Sequence, residues 1–138
     1  MSREVFGSVE EVKAPDLGVV TSAKVDTGAW SGALHCTNIY EKDGRLYFEP
    51  LGNEEYKTSV KDYEVRTVRS ASGHEQQRYI ITIKLEIKGK IYHTTVGLND
   101  RSNMQREMLL GRKFLIENNV LVDVRLTLDD DYEAERYL

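Results

Sequence analysis

The sequence predicts an all-β protein with one short helix near its C-terminal end. Three observations carry this. Apolar residues fall at every second position through Tyr79, Ile81, Ile83, Leu85 and Ile87, the longest patterned stretch of the chain. Tight-turn signals, Asp43-Gly44 and Lys88-Gly89-Lys90, interrupt the patterned stretches. Helical spacing is confined to Arg112–Asn118, which follows Gly111 and ends at Asn118-Asn119.

In chain order, Phe6–Val12 and Ser22–Val25 read as short strands. Leu34–Tyr40 and Arg45–Glu49 form a hairpin about Asp43-Gly44, a dipeptide that suits a type I′ turn. Tyr63–Arg69 and Gln77–Ile83 flank the polar segment Ser70-Ala71-Ser72-Gly73-His74, the tip of another hairpin. The long strand then turns at Lys88-Gly89-Lys90, and Ile91–Val96 pairs back on it. Val120–Val124 is a last strand, apolar on both faces, and is expected to be buried or to pair with another chain.

A length of 138 residues fits one domain, read as 1–125, with an acidic tail at 126–138. The net charge of −4 belongs to Asp129–Leu138, which holds five acids and one Arg. The other 128 residues balance 18 basic against 18 acidic side chains. No basic nucleic-acid surface is indicated by this balance. No apolar run is long enough to span a bilayer, and the start of the sequence leads into no secretory signal. The lone cysteine, Cys36, rules out an intrachain disulfide framework and fits a reducing cytoplasm.

Two motifs carry chemistry. Val25-Asp26-Thr27-Gly28-Ala29 follows a strand; Met108-Leu109-Leu110-Gly111-Arg112 leads into the helix. A carboxylate that activates water belongs at the end of a rigid strand, in a tight loop aimed at a cleft. Thr27 is expected to lock that loop through its hydroxyl, and Gly28 to allow close approach. Leu110 and Gly111 would pack beneath the loop, with Arg112 held by a carboxylate or by carbonyls. Asp-Thr-Gly alone is weak evidence, since about 2% of chains this long would carry it by chance. Without its partner motif it reads as a polar turn.

Together the two motifs, in this order, spacing and β context, resemble those of the retropepsin-like aspartic proteases. Arg78 to Leu115 is similar to the second half of such a domain, and the likeness extends over most of residues 20–125. More narrowly, Ala23-Lys24-Val25-Asp26-Thr27-Gly28-Ala29, then Ser31 and Ala33-Leu34-His35, resemble a small bacterial and archaeal family labelled ATP-dependent zinc proteases or retropepsin-like domain proteins. Leu98-Asn99-Asp100-Arg101 and Met104 through Arg112 extend that match. One departure stands out. Many retropepsins have an acidic residue after Asp-Thr-Gly-Ala that pairs with the Arg of the second motif, and here Trp30 takes its place. Arg112 therefore needs another partner.

The resemblance implies a closed, folded β-barrel of the acid-protease type with one Asp-Thr-Gly per chain. Two carboxylates are needed, so it implies a homodimer in which Asp26 meets its symmetry mate, with Thr27 and Gly28 in the catalytic loop. Residues 66–78 would be the flap, with its tip at Ala71-Ser72-Gly73. Ala29, Trp30, Ser72, Gly73, Arg69 and Arg78 would line the substrate site, and Leu110, Gly111, Arg112, His35 and Arg101 would support it. The last strand would join a dimer sheet. Arg66, Arg69, Arg78 and Arg101 suggest an acidic peptide substrate, the alternative being ordinary solvated arginines. Relatives occur with ATP-grasp glutamate ligases, which add glutamate tails to proteins, so such a pathway is an implied partner.

Other chemistries have less support. The zinc label finds no His-Glu-x-x-His and no Cys-x-x-Cys. His35 and Cys36 are adjacent on a strand and face opposite ways. His74 and His93 stand apart from them, and His35 is better read as a hydrogen bonder near the Asp26 loop. Cys36 as a nucleophile competes with the commoner role of a small core residue. No cofactor is expected: nothing in the chain resembles an ATP-binding loop. The Asp129–Asp131 run reads as a solubilising tail. The leading expectation is an aspartic endopeptidase. A non-catalytic peptide-binding domain of the same fold is the alternative, and a zinc peptidase comes third.

Overall fold

A computed structural model describes residues 3–69, 71–127 and 132. In chain order these form β1 (Glu4–Phe6), β2 (Val9–Ala14), β3 (Val19–Val25), β4 (Gly32–Lys42) and β5 (Arg45–Pro50). A short 3-10 turn (Glu54–Tyr56) precedes β6 (Thr58–Val60), β7 (Glu64–Arg69), β8 (Glu75–Ile87) and β9 (Lys90–Asn99). Then come β10 (Met108–Leu110), α1 (Arg112–Glu117) and β11 (Val120–Val122).

Six of these strands close on themselves. Following the hydrogen-bonded neighbours, β10 leads to β3, β2, β8, β9 and β4, and β4 returns to β10. The closing element is only three residues long. It lies parallel to β3, with Met108 opposite Ala23 and Leu110 opposite Val25, and antiparallel to β4. Closure leaves few free edges, which is how a barrel avoids presenting unpaired backbone. The molecule is the all-β, retropepsin-like barrel with a single short helix that the sequence predicts.

The period-two stretch of β8 performs as expected. Ile81, Ile83, Leu85 and Ile87 are all buried, and the residues between them are less so. Both predicted turns are present. Asp43 and Gly44 have φ of 52° and 75°, and Lys88 and Gly89 have 53° and 78°, the paired positive values of type I′. At the far end, Phe114 of the helix packs on Tyr92 and Phe6, with ring centroids 5.3 and 6.3 Å away. This aromatic cluster fixes α1 against the barrel.

Several boundaries differ from expectation. The single strand expected at Phe6–Val12 is two, broken at Gly7-Ser8, where the Gly7 N–H turns to the Glu10 carboxylate at 2.7 Å. The strand expected at Ser22–Val25 begins at Val19, because Ala14-Pro15-Asp16-Leu17-Gly18 closes a hairpin whose Leu17 N–H donates to the Ala14 carbonyl. The last strand, expected at Val120–Val124, spans Val120–Val122. It pairs in parallel with β1 of its own chain, Glu4 opposite Val120 and Phe6 opposite Val122. It is half-buried, and Leu121 is exposed. Its hydrogen bonds on that edge go to its own N-terminal strand, and the two form a separate two-stranded sheet. Ser70 and nearly all of the expected acidic tail lie outside the described residues.

Candidate active site

Asp26 sits where β3 ends, and its backbone is held from below. Its N–H donates to the Leu110 carbonyl at 2.9 Å, extending the β3–β10 ladder by one bond. Its own Oδ1 accepts from the Gly28 N–H at 2.9 Å, closing an Asx turn. The Ala29 N–H donates back to the Asp26 carbonyl at 3.3 Å. One carboxylate oxygen is thus tied to the loop, and the residue is only half-buried. A Cβ on Gly28 would stand 3.2 Å from Oδ1, so the bare glycine lets the carboxylate lie close over its N–H.

The second motif clamps the same loop. The first N–H groups of a helix have no partner within it. Here Gly111, the N-cap, offers no side chain, and the loop's carbonyls serve instead. The Arg112 N–H donates to the Ala29 carbonyl at 2.8 Å, and the Lys113 N–H to the Trp30 carbonyl at 3.1 Å. This contact needs a glycine at 111, because a Cβ there would lie 2.5 Å from the Trp30 carbonyl oxygen and 2.8 Å from that of Ser31.

Arg112 finds two partners. Its Nη1 donates to the Thr27 carbonyl at 3.2 Å, and its guanidinium lies over the Trp30 ring, 5.7 Å from the centroid. Trp30 thus takes the arginine with a π-face where many retropepsins use a carboxylate. The expected hydroxyl lock of Thr27 is corrected. That hydroxyl makes no hydrogen bond among the described residues, and it is the Thr27 carbonyl that the site uses.

His35 and Arg101 form a second support. The Arg101 N–H donates to His35 Nδ1 at 2.8 Å, and Arg101 Nε donates to the Arg106 carbonyl at 3.3 Å. His35 therefore holds the loop after β9, where the sequence suggested a place beside the Asp26 loop. Burial pulls the Arg101 guanidinium below its ordinary value, partly offset by the negative charge of Asp26. In the same loop, the Ser102 hydroxyl and N–H lower the Asp100 carboxyl.

The hairpin expected to be the flap is two-stranded. β7 is exposed along its whole length and pairs with β8 from Glu64–Ile80 to Arg69–Glu75, and Ala71-Ser72-Gly73 lie in the turn between them. Between β7, β8, β9 and the start of β4 lies a groove of about 410 Å³, lined in part by Trp30, Arg66, Val68, Arg78 and Asn99; Asp26 to Ala29, Ser72 and Gly73, expected at the substrate site, do not line it. Glu64, Gly97 and Lys113 also line it, and nothing in the sequence singles them out. Period two marks Glu64 with Arg66 and Val68, but only the hairpin register shows which face is inward. Arg69, expected at the substrate site, is instead engaged by Glu75 at 2.9 Å.

The rival chemistries can be tested on the same geometry. His35 Nδ1 is occupied by a backbone N–H, and Cys36 is wholly buried, its thiol pushed up to about 12 by loss of solvation. Such a thiol is a core residue, not a nucleophile. Among the described residues, no three His, Cys, Asp or Glu side chains converge as a metal site. No described helix is long and apolar enough to cross a membrane.

The family described as RimB-like, retropepsin-like aspartic endopeptidase RimB, matches residues 5–129. Among curated proteins, a probable alpha-L-glutamate ligase of Shewanella pealeana is 31% identical over 129 residues, covering 86% of this chain and 28% of that protein. Another, from Parasynechococcus marenigrum, is 34% identical over 134 residues, covering 89% and 28%. The chain thus spans little more than a quarter of the length of the curated relatives it matches. Among solved structures, a Legionella pneumophila protein of unknown function (DUF785) superposes with a TM-score of 0.70 at 30% identity, covering 91% of this chain and 97% of that one.

Proposed function

The chain belongs to the RimB-like family of retropepsin-like aspartic endopeptidases, and we propose on that footing that it is an aspartic peptidase working as a homodimer. The observation that carries the reading is the Asp26 loop. A carboxylate stands at the end of a barrel strand, braced by Leu110 from below and by the first turn of α1 from the side. The chain supplies one such motif, and this chemistry needs two carboxylates.

In the dimer two Asp26 side chains face each other. Like charges that close do not both ionise readily, so the pair shares a proton and titrates as a unit. The ionised carboxylate takes a proton from water as the water oxygen adds to the scissile carbonyl carbon. The protonated one gives its proton to the carbonyl oxygen. Collapse of the tetrahedral species breaks the C–N bond, and the amine leaves with a proton returned from the pair. Arg101, which lies within reach of the Asp26 charge, and Arg112 support the loop without touching the reacting atoms. The flap, with Ser72 and Gly73 at its turn, closes over the substrate and excludes water.

The substrate class we propose is an acidic, glutamate-rich peptide. Curated relatives that share this segment are named as ligases for alpha-L-glutamate. A peptidase that trims glutamate tails is the natural counterpart of an enzyme that adds them. The test is cleavage of a glutamate-tailed peptide by the wild type and by Asp26→Asn. Loss of cleavage in the variant, with a dimer in sedimentation for both, supports the reading; undiminished cleavage by Asp26→Asn overturns it. A second reading, a non-catalytic peptide-binding domain, is favoured by the fact that the relatives carry this segment within proteins named as ligases. It expects peptide binding without cleavage.

A further inference from the structure

The structure sorts the four arginines near the groove. Arg69 is paired across the hairpin with Glu75 at 2.9 Å and does not line the groove. Arg101 is fixed in its own loop by His35 and by the Arg106 carbonyl. Arg66 and Arg78 are different, because they stand directly opposite one another in the β7–β8 register. Residues so paired leave the same face with Cβ atoms about 5 Å apart, and like charges there destabilise the ladder. Both line the groove. Arg66 has one partner, Glu64, at 3.1 Å, and both side chains of that pair are largely exposed. Arg78 has no ion pair among the described residues. Its stem passes over Gly97, where a Cβ would stand 3.9 Å from Arg78 Cδ. Lys113 lines the same space but is paired with Glu117 at 3.4 Å, so the excess positive charge on the groove wall falls on Arg66 and Arg78.

A repulsive cross-strand pair facing a groove is best explained by an anion that belongs between its members. We propose that Arg66 and Arg78 are the specificity-determining pair of this site, reading one glutamate or aspartate side chain of a peptide in the groove. The carboxylate bridges the two guanidiniums in the planar, two-pronged way that arginine favours. Glu64 relieves part of the repulsion from the Arg66 side, and a peptide carboxylate between both guanidiniums relieves more of it, so the flap settles on an acidic peptide in preference to a neutral one. Glu64 is the internal competitor for Arg66. The inference rests on the peptidase reading only in taking the groove as a peptide site. All of its residues come from one chain, so neither dimerisation nor cleavage is needed to test it.

Trp30, the single tryptophan, is 53% exposed on the groove wall and serves as the reporter. The experiment titrates its fluorescence in the full-length Asp26→Asn chain with three peptides. These are an N-acetylated, C-amidated tetraglutamate, the matching tetraglutamine amide, and tetraglutamine with a free C-terminal carboxylate. The tetraglutamate amide is expected to bind best. Arg66→Gln and Arg78→Gln should each weaken it by about ten- to a hundredfold, and Arg78→Lys should restore only part of that. Arg69→Gln should change affinity less than twofold, and Glu64→Gln should tighten it. Three results overturn the proposal. One is equal affinity for the glutamine amide. Another is Arg-dependent binding of the free-carboxylate glutamine peptide alone, which would make the pair a reader of chain ends. The third is equal loss from Arg69→Gln, which would reduce the effect to general charge attraction. Each leaves water activation at Asp26 intact, so failure here is separable from failure of the peptidase reading.

Discussion

The Asp26 loop and the β7–β8 hairpin, proposed as the flap, are built in opposite ways. The loop's carbonyls and N–H groups go to β10 and α1, and Gly111 is pressed against it so tightly that no Cβ fits. β7, by contrast, has one neighbour, is exposed at every residue, and ends in a turn with open space around Gly73. One is braced from two directions and the other is held along a single strand. A reacting carboxylate must be held to a fraction of an ångström, whereas a lid must open with little cost.

The largest expected effect tests the braced loop chemically. Asp26→Asn keeps the shape of the side chain and its bond from the Gly28 N–H, but it removes the base. Peptide cleavage should fall by about 10²–10⁴-fold or more, while the thermal midpoint stays near that of the wild type. If the variant keeps its activity, the rigidity of the loop has nothing to do with proton transfer.

The next tests the braced loop sterically. Gly111→Ala places a methyl group 2.5 Å from the Trp30 carbonyl oxygen, so α1 must back away and give up the bonds to Ala29 and Trp30. The overpacking and the lost bonds should together cost about 3 kcal/mol, lowering the melting midpoint by roughly 10 °C. Calorimetry checks this, and a change under about 2 °C would mean that the clamp is loose.

How much of this is readable from sequence depends on the range of the signal. Ile81 to Ile87 declare their face by alternation, and Asp43-Gly44 and Lys88-Gly89 declare their turns, because both effects act between near neighbours in sequence. The juxtaposition of Asp26 with Leu110 and Gly111 is legible through the pairing of two motifs. Barrel closure is legible only through the family resemblance and not through periodicity, since three residues of β10 are too few to show a period and their partners lie far away in sequence. The pairing of Val120–Val122 with Glu4–Phe6 is hidden for the same reason. Nor does a sequence say that Arg112 settles on the face of Trp30 or that Arg66 meets Arg78. Those contacts are set by rotamer and register.

Trp30 and Arg112 offer a finer measurement on the braced loop. Arg112→Ala removes one hydrogen bond to Thr27 and one cation–π contact, both near the surface, and should cost about 1–2 kcal/mol. In a double-mutant cycle with Trp30→Ala, the coupling should be about 0.5–1 kcal/mol in urea unfolding. A coupling near zero would leave the Thr27 carbonyl as the sole anchor of Arg112.

The smallest effect comes from repeating the glycine substitution in the hairpin. Gly73 has φ of +84° and a Cβ added there would meet nothing within 4 Å, so Gly73→Ala touches no wall and only the backbone is strained. That strain is worth about 1 kcal/mol. It falls on a hairpin whose outer strand contributes no buried side chain to the core, so the flap can open locally and release it without unfolding the barrel. Hydrogen exchange should therefore quicken in residues 64–77 while the global melting midpoint moves by less than about 2 °C. Gly73→Ala and Gly111→Ala add the same atom to the same protein, and only their settings differ. Equal losses of global stability would show flap and loop unfolding as one unit, and the contrast between a braced loop and a singly held hairpin would be lost.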